Sequence, residues 1–185
     1  MSDTLSGPMR NLFLLCILVW AVVACVPAVS TVTVPSATPS VAAMSFDLTK
    51  APIRVSSVFT ANIRLDNVAG LVGVELQVAY DPAILEVQDA DPGKDGVQAA
   101  WGTFLKPDLV AQNLAEPARG KMGLAAVQLP PSQAVSGSGV LATIAFKAKS
   151  AGSSPLAFDL VNLSTSRGTP IECVLQNAQV IVRSE

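Results

Sequence analysis

The strongest constraint in this sequence is a two-residue alternation of apolar and polar side chains that begins at Val58. In residues 58–66, Phe59, Ala61, Ile63 and Leu65 alternate with polar neighbours. Successive side chains of a strand point to opposite faces, so each such run predicts a strand with one buried face. Comparable runs cover residues 71–80, 122–126, 140–149 and 156–160, with Leu156, Phe158 and Leu160 at the apolar positions of the last run.

Clusters of turn-forming residues separate these runs. Gly, Pro, Asn and Asp interrupt regular structure, and no window carries the apolar stripe of an amphipathic helix. Eight or nine strands with one apolar face each require two packed antiparallel sheets, so the predicted fold is an all-β sandwich. The clusters lie at residues 67–70, 81–82, 91–93, 130–131, 137–139, 152–155 and 168–170.

The N-terminus is expected to be an export signal. Arg10 precedes an unbroken apolar run over residues 12–24, which is shorter than the roughly 20 residues of a membrane-spanning helix. The run ends in Val22-Val23-Ala24-Cys25, which resembles the lipobox of bacterial lipoproteins. That resemblance implies cleavage before Cys25, lipidation of Cys25, and attachment to the cell membrane facing outside the cytoplasm. The alternative is an ordinary signal peptide cut near Ala24 or Ala28.

A tether is predicted between the signal and the strands. Residues 26–40 contain three prolines and six Ser or Thr residues and carry no charge, as in extended linkers. At about 3.1 Å per residue in polyproline II, this segment reaches roughly 45 Å. The predicted division is a signal peptide over 1–24, the lipidated Cys and tether over 25–40, and one sandwich domain over 41–185.

Composition excludes several functions. The chain has no His, which removes Ser-His-Asp and Cys-His catalytic units and imidazole metal sites. The net charge is −2 and the basic residues are scattered, so the sequence shows no basic cluster that would bind nucleic acid. A group of acidic residues at positions 81, 86, 89, 91 and 95 could form a glycosidase pair or a calcium loop, but Gly93 and Lys94 break the EF-hand pattern. A polar turn is the simpler prediction, so no catalytic residue, metal or cofactor is expected.

Two longer segments resemble cohesin domains. Residues 71–87 are similar to the third and fourth strands of that family, with an alternating strand that ends in Tyr80-Asp81-Pro82 and is followed by Leu85-Glu86-Val87. Residues 137–149 resemble its Gly-x-Gly-x-Leu-Ala-x-Ile-x-Phe strand, and residues 58–68 its second strand. The resemblance implies a nine-stranded jelly-roll sandwich that binds a dockerin, a small helical module that carries calcium.

The same resemblance implies which residues contact the partner. Dockerins dock on polar residues that point outward from strand three, which here are Gly73, Glu75, Gln77 and Ala79. Glu75 matches the acidic contact of the family, although it can equally be a solvated strand residue. Gly73 stands where many dockerin-binding members have Asn.

The shared motifs also have physical reasons. Pro82 cannot donate to a sheet ladder and ends the strand, while Asp81 is expected to cap the turn. Gly137 and Gly139 are expected to supply the backbone angles with which a loop enters a long strand.

Carbohydrate binding is the alternative function. Sandwich modules hold flat polysaccharides on rows of exposed aromatic rings. Trp101 and Phe104, in the irregular stretch before Pro107, are the candidate carbohydrate-binding residues, although a lone Trp is more often a plug of the sandwich. The sequence predicts weak glycan binding at most, because Phe46, Phe59, Phe146 and Phe158 are expected to face inward.

Overall fold

The alternating runs form strands throughout the part of the chain that the computed structural model describes, residues 41–48 and 52–184. Eleven strands and one short 3₁₀ helix (Pro117–Arg119) occur there, which confirms the all-β prediction. None of the helical structure in these two ranges is long and apolar enough to cross a membrane. The predicted signal, Cys25 and the tether lie outside the described residues. The strands are β1 (Ala42–Leu48), β2 (Ile53–Arg54), β3 (Val58–Tyr80), β4 (Leu85–Gln88), β5 (Ala100–Trp101), β6 (Leu109–Glu116), β7 (Lys121–Val127), β8 (Val135–Ala148), β9 (Gly152–Thr165), β10 (Cys173–Gln176) and β11 (Ala178–Arg183).

Strand β3 is 23 residues long and belongs to both layers of the fold. The turn predicted at residues 67–70 bends this strand without ending it. Asn67 (φ 56°) and Gly70 (φ 68°) adopt left-handed backbone angles there, and the pairing with β8 changes register around them. The two strands predicted before and after this bend, over residues 58–66 and 71–80, therefore form one continuous strand. The structure has eleven strands where nine were predicted, because strands of two residues such as β2 and β5 are too short for an alternating pattern to reveal.

The strands form two layers that β3 joins. The first layer runs β10, β1, the first half of β3 and β8, and both β4 and β5 pair with β8. The second layer runs β2, β11, β9, the second half of β3, β7 and β6. All pairs are antiparallel except β1 with β10 and β2 with β11, which are parallel. The prediction of an antiparallel sandwich thus holds except at these two outer pairs.

The core lies between the layers and is apolar. Phe59, Ile63 and Leu65 of β3 are buried, as the alternation predicted. Aromatic rings connect the two layers: Phe46 of β1 stacks on Phe158 of β9 at 4.2 Å between ring centroids, and Phe146 of β8 meets the ring of Tyr80 edge-on at 5.3 Å. Such stacked and edge-on contacts add to the stabilisation from burial.

The turn after β3 forms as predicted. The Asp81 carboxylate accepts the backbone N–H of Ala83 at 2.8 Å, and the Asp81 carbonyl accepts the N–H of Leu85 at 2.9 Å. The N–H of Tyr80 donates to the carbonyl of Gly120 at 2.9 Å, which fixes the end of β3 against the start of β7. This turn therefore fixes one end of the strand that carries the candidate contact residues.

The two glycines of the β8 motif serve different purposes. Gly137 has a φ of +113°, as expected for a residue that needs left-handed freedom. The expectation for Gly139 was wrong, because its φ is not in that region and the constraint is a close contact instead. A Cβ at position 139 would lie 2.6 Å from Cδ2 and 2.8 Å from Cβ of Phe104, whose ring lies against the glycine backbone.

Replacement of Gly139 by Ala is expected to lower the free energy of unfolding by about 1–3 kcal/mol, because the Phe104 ring must move out of its packed position. In a Phe104→Ala background the same change should cost less, because the obstructing ring carbons are gone and only the contact with Cβ at 2.8 Å remains. Urea denaturation of the four proteins of this double-mutant cycle measures the coupling. Equal costs in both backgrounds would show that Phe104 is not the reason for the glycine.

Candidate partner-binding face

The second layer has an outer face along whose centre β3 runs, between β9 and β7. The register places residues of neighbouring strands side by side: Glu75 pairs with Asn162 of β9 and Ala125 of β7, and Gln77 pairs with Leu160 of β9 and Gly123 of β7. The row predicted from the sequence lies together on this face. We call this surface the platform, and it comprises Gly73, Glu75, Gln77 and Ala79 of β3, Leu160, Asn162 and Ser164 of β9, Lys121, Gly123, Ala125 and Val127 of β7, and Leu109, Ala111, Gln112 and Leu114 of β6.

Two glycines of the platform are covered by side chains of neighbouring strands. Gly73 is buried because the Ser164 hydroxyl occupies the space of a side chain there, and a Cβ at position 73 would lie 2.5 Å from Ser164 Oγ. Gly123 is covered in the same way by the side chain of Gln112. At position 73, where many dockerin-binding cohesins carry Asn, this chain therefore presents a hydroxyl from the neighbouring strand.

Polar side chains on the platform hold one another. The amide of Asn162 donates to the Glu75 carboxylate at 2.9 Å, and Lys121 donates to the Gln77 side-chain oxygen at 3.3 Å while pairing with Asp159. Asp159 reaches Lys121 because β9 shifts register by one residue between the partners of Gln77 and Val78. These bonds fix the side chains before any partner arrives, which lowers the conformational entropy lost on binding.

An apolar rim accompanies these polar groups. Leu109, Leu114 and Leu160 are 51%, 42% and 42% exposed. The alternation had placed Leu160 with the buried residues, and this was wrong, because the shift of register at Asp159 turns Leu160 to the outer face. Exposed apolar side chains around fixed polar groups are typical of protein interaction sites.

The candidate carbohydrate-binding residues lie elsewhere. Trp101 is half-buried in β5 and its indole N–H is buried without a hydrogen-bond partner, while Phe104 is half-buried against Gly139. No Phe, Tyr or Trp among residues 41–48 and 52–184 is exposed enough to form a flat ring surface for polysaccharide. Glycan binding stays a hypothesis from the sequence.

The acidic segment forms a turn, as predicted. Asp89 accepts the backbone N–H groups of Asp91 and Gln98, at 3.1 and 3.0 Å. Asp91 pairs with Lys94 at 2.6 Å, and this hydrogen bond lowers the pKa of the Asp91 carboxyl. Within the described ranges, no group of three or more His, Cys, Asp or Glu side chains is arranged to hold a metal ion. The carboxylates thus stabilise the turn itself.

Comparison with solved structures places this fold among known proteins. A type II cohesin domain from the cellulosome of Acetivibrio cellulolyticus is similar with a TM-score of 0.64 and 19% identity, over 76% of this chain and 95% of that one. A chain of a type II cohesin–X–dockerin complex from the same organism is similar with a TM-score of 0.63 and 15% identity, over 77% and 99% of the two chains. These likenesses confirm the predicted jelly-roll sandwich.

Sequence comparison gives the family. One curated relative, cell surface glycoprotein 1 of Acetivibrio thermocellus, is 30% identical over 71 residues, which cover 36% of this chain. The matched part is 3% of that relative's length. The cohesin domain model matches residues 42–182, nearly the whole of the described sandwich. The chain therefore belongs to the cohesin domain family.

Proposed function

We propose that this protein is a cell-surface binding module that recruits a dockerin-type partner onto the platform. Cohesin domains are non-catalytic protein-binding modules. The observation that carries the proposal is the outer face of the second layer, where Asn162 and Lys121 hold Glu75 and Gln77 in place beside Gly and Ala residues of β7. A neighbour of the same fold belongs to a cohesin–X–dockerin complex, which supports this class of partner.

The geometry of the platform suits a helical partner. Ala125 adds only a methyl group to the surface between the strands, and the exposed leucines at 109, 114 and 160 offer apolar area to bury. Glu75 presents its carboxylate between these groups and can accept hydrogen bonds from the partner. Burial of apolar area would supply most of the affinity, and the fixed polar side chains would set the register of the complex.

Binding to calcium-loaded dockerin modules tests the proposal. Isothermal titration calorimetry of the purified protein against all dockerin modules encoded by the host genome, with the X–dockerin of Acetivibrio cellulolyticus as reference, should find a micromolar or tighter partner. EDTA should abolish the binding and added calcium should restore it, because the partner carries the ion that orders it. Failure of every module to bind, with calcium present, would refute the proposal.

The anchor is a second part of the proposed function. If Cys25 carries the lipid, cells fed a clickable fatty-acid analogue should label the protein, and the label should disappear in Cys25→Ser. Cys173→Ser is the matched control, because it removes a thiol from the sandwich and should leave the label unchanged. The wild-type protein should also fractionate with membranes. If the Cys25→Ser protein still carries the fatty-acid label, lipidation at this residue is contradicted.

A further inference from the structure

A pocket opens beside the platform, on the far side of β6. It has a volume of about 320 Å³ and lies between the segment that contains Gln98 and Trp101 and the residues 110–113 of β6. Ala111 lines both this pocket and the shallow depression of the platform at Gly73 and Glu75. The pocket therefore adjoins the proposed binding face at Ala111, and a partner that covers the platform would reach it by crossing β6.

Two polar atoms in the wall of this pocket have no partner. The indole N–H of Trp101 and the side-chain oxygen of Gln98 are both buried and make no hydrogen bond, and Gln98 is only 4% exposed. Its amide nitrogen donates to the Asp95 carbonyl at 2.6 Å, so the side chain is fixed with its oxygen unpaired. A buried polar group without a hydrogen bond lowers the free energy of unfolding, so two such groups in one pocket wall are unusual in a folded protein.

One chemical group can satisfy both atoms. A hydroxyl accepts from an N–H and donates to a carbonyl oxygen, so it offers both the acceptor that Trp101 lacks and the donor that Gln98 lacks. Val110 and Ala111 form the apolar part of the pocket wall, with the Val110 side chain 43% exposed, and Lys94, Asp95, Gln112 and Asn113 complete the lining. A tyrosine combines an apolar ring with a terminal hydroxyl and is a common anchor in protein interfaces.

We propose that this pocket beside β6 is an anchor site in which the dockerin-type partner places a tyrosine or similar hydroxyl-bearing side chain, with its hydroxyl bonded to Trp101 and Gln98. The inference rests on the proposed function, because it assigns a second contact of the same partner. Both polar atoms are buried beneath the pocket wall, so the proposal includes a rotation of the half-buried Trp101 side chain that exposes its N–H to the anchor.

The test uses the full chain and the dockerin module that binds most tightly in calorimetry. Trp101→Phe removes the N–H and keeps an aromatic ring, and it should weaken binding by about 10-fold. Tyr80→Phe is the matched control, because it removes another buried and unpaired polar atom, from a ring that faces the core. This control should leave the affinity unchanged, and denaturation curves of both variants verify that they fold.

A second readout follows Trp101 directly. In a protein labelled with 5-fluorotryptophan, the ¹⁹F signal that is missing from the Trp101→Phe variant is that of Trp101. Addition of the dockerin should shift the Trp101 signal. Unchanged affinity in Trp101→Phe together with an unmoved signal would overturn the anchor site, while the platform function would stand if Glu75→Lys still abolished binding. If soluble cello- or xylo-oligosaccharides alone shift the Trp101 signal, the pocket binds sugar and the anchor site is overturned. If no dockerin module binds the protein, both the platform function and the anchor site are refuted.

Discussion

Glu75→Lys is expected to weaken binding of the dockerin partner by at least about 100-fold, or about 2.7 kcal/mol. Glu75 lies at the centre of the platform, where its carboxylate accepts the amide of Asn162. The substitution removes this acceptor, leaves Asn162 unpaired, and inserts a long cation where the partner approaches closely. A charge of the wrong sign at an interface costs several kcal/mol when it is desolvated. Calorimetry against the same calcium-loaded module measures the change.

Two variants make this result specific. Glu86→Lys changes the net charge by the same amount, but Glu86 is exposed on β4 in the other layer, so its affinity should stay within about twofold of wild type. Glu75→Gln keeps an acceptor for Asn162 and removes only the charge, and it should therefore lose less affinity than Glu75→Lys. Equal affinities for Glu75→Lys and Glu86→Lys would place the binding site away from the platform.

Phe146→Ala is expected to lower the free energy of unfolding by about 3–5 kcal/mol. The Phe146 side chain is fully buried, and its ring contacts those of Phe59 at 5.7 Å and Tyr80 at 5.3 Å between centroids. Its removal leaves a cavity at the point where the two halves of β3 pack across the core. Since small domains are stable by about 5–15 kcal/mol, the variant would lose a large part of its stability.

Urea denaturation measures this loss, with Ile181→Ala as the control. Ile181 is 60% exposed on β11, so its truncation should change the free energy of unfolding by no more than about 0.5 kcal/mol. A similar loss for both variants would mean that Phe146 does not join the layers as described. If the Phe146→Ala variant still folds, calorimetry against the dockerin module would also show whether the platform keeps its affinity when the opposite layer is weakened.

The alternation was a reliable guide to which residues of an undisturbed strand are buried. It placed Phe59, Ile63 and Leu65 in the core because the two faces of a strand depend only on the local pleat. It failed at Leu160, where one extra residue in β9 reverses the faces beyond the bulge. Sequence patterns of period two do not show a bulge, because the pairing across strands decides where the extra residue goes.

The candidate site was predictable only along its central strand. The resemblance to cohesins indicated Glu75 and its neighbours, since these residues follow one another in a recognisable motif. Lys121, Asp159 and Asn162 were not foreseen, although they hold the central side chains in place. A lysine or an aspartate on an exposed strand carries no signal of its own until its neighbour on the next strand is known.

The sequence by itself determined the all-β class, the burial of most alternating residues, the turn at Asp81-Pro82 and the family, because each of these is written in residues close together in the chain. Only the tertiary structure decided how the platform is assembled. Asn162 meets Glu75 across 87 positions of sequence, and Ser164 fills the space at Gly73. The register of β9 and β7 against β3 sets these contacts, and that register results from packing of the whole core, which no local pattern encodes.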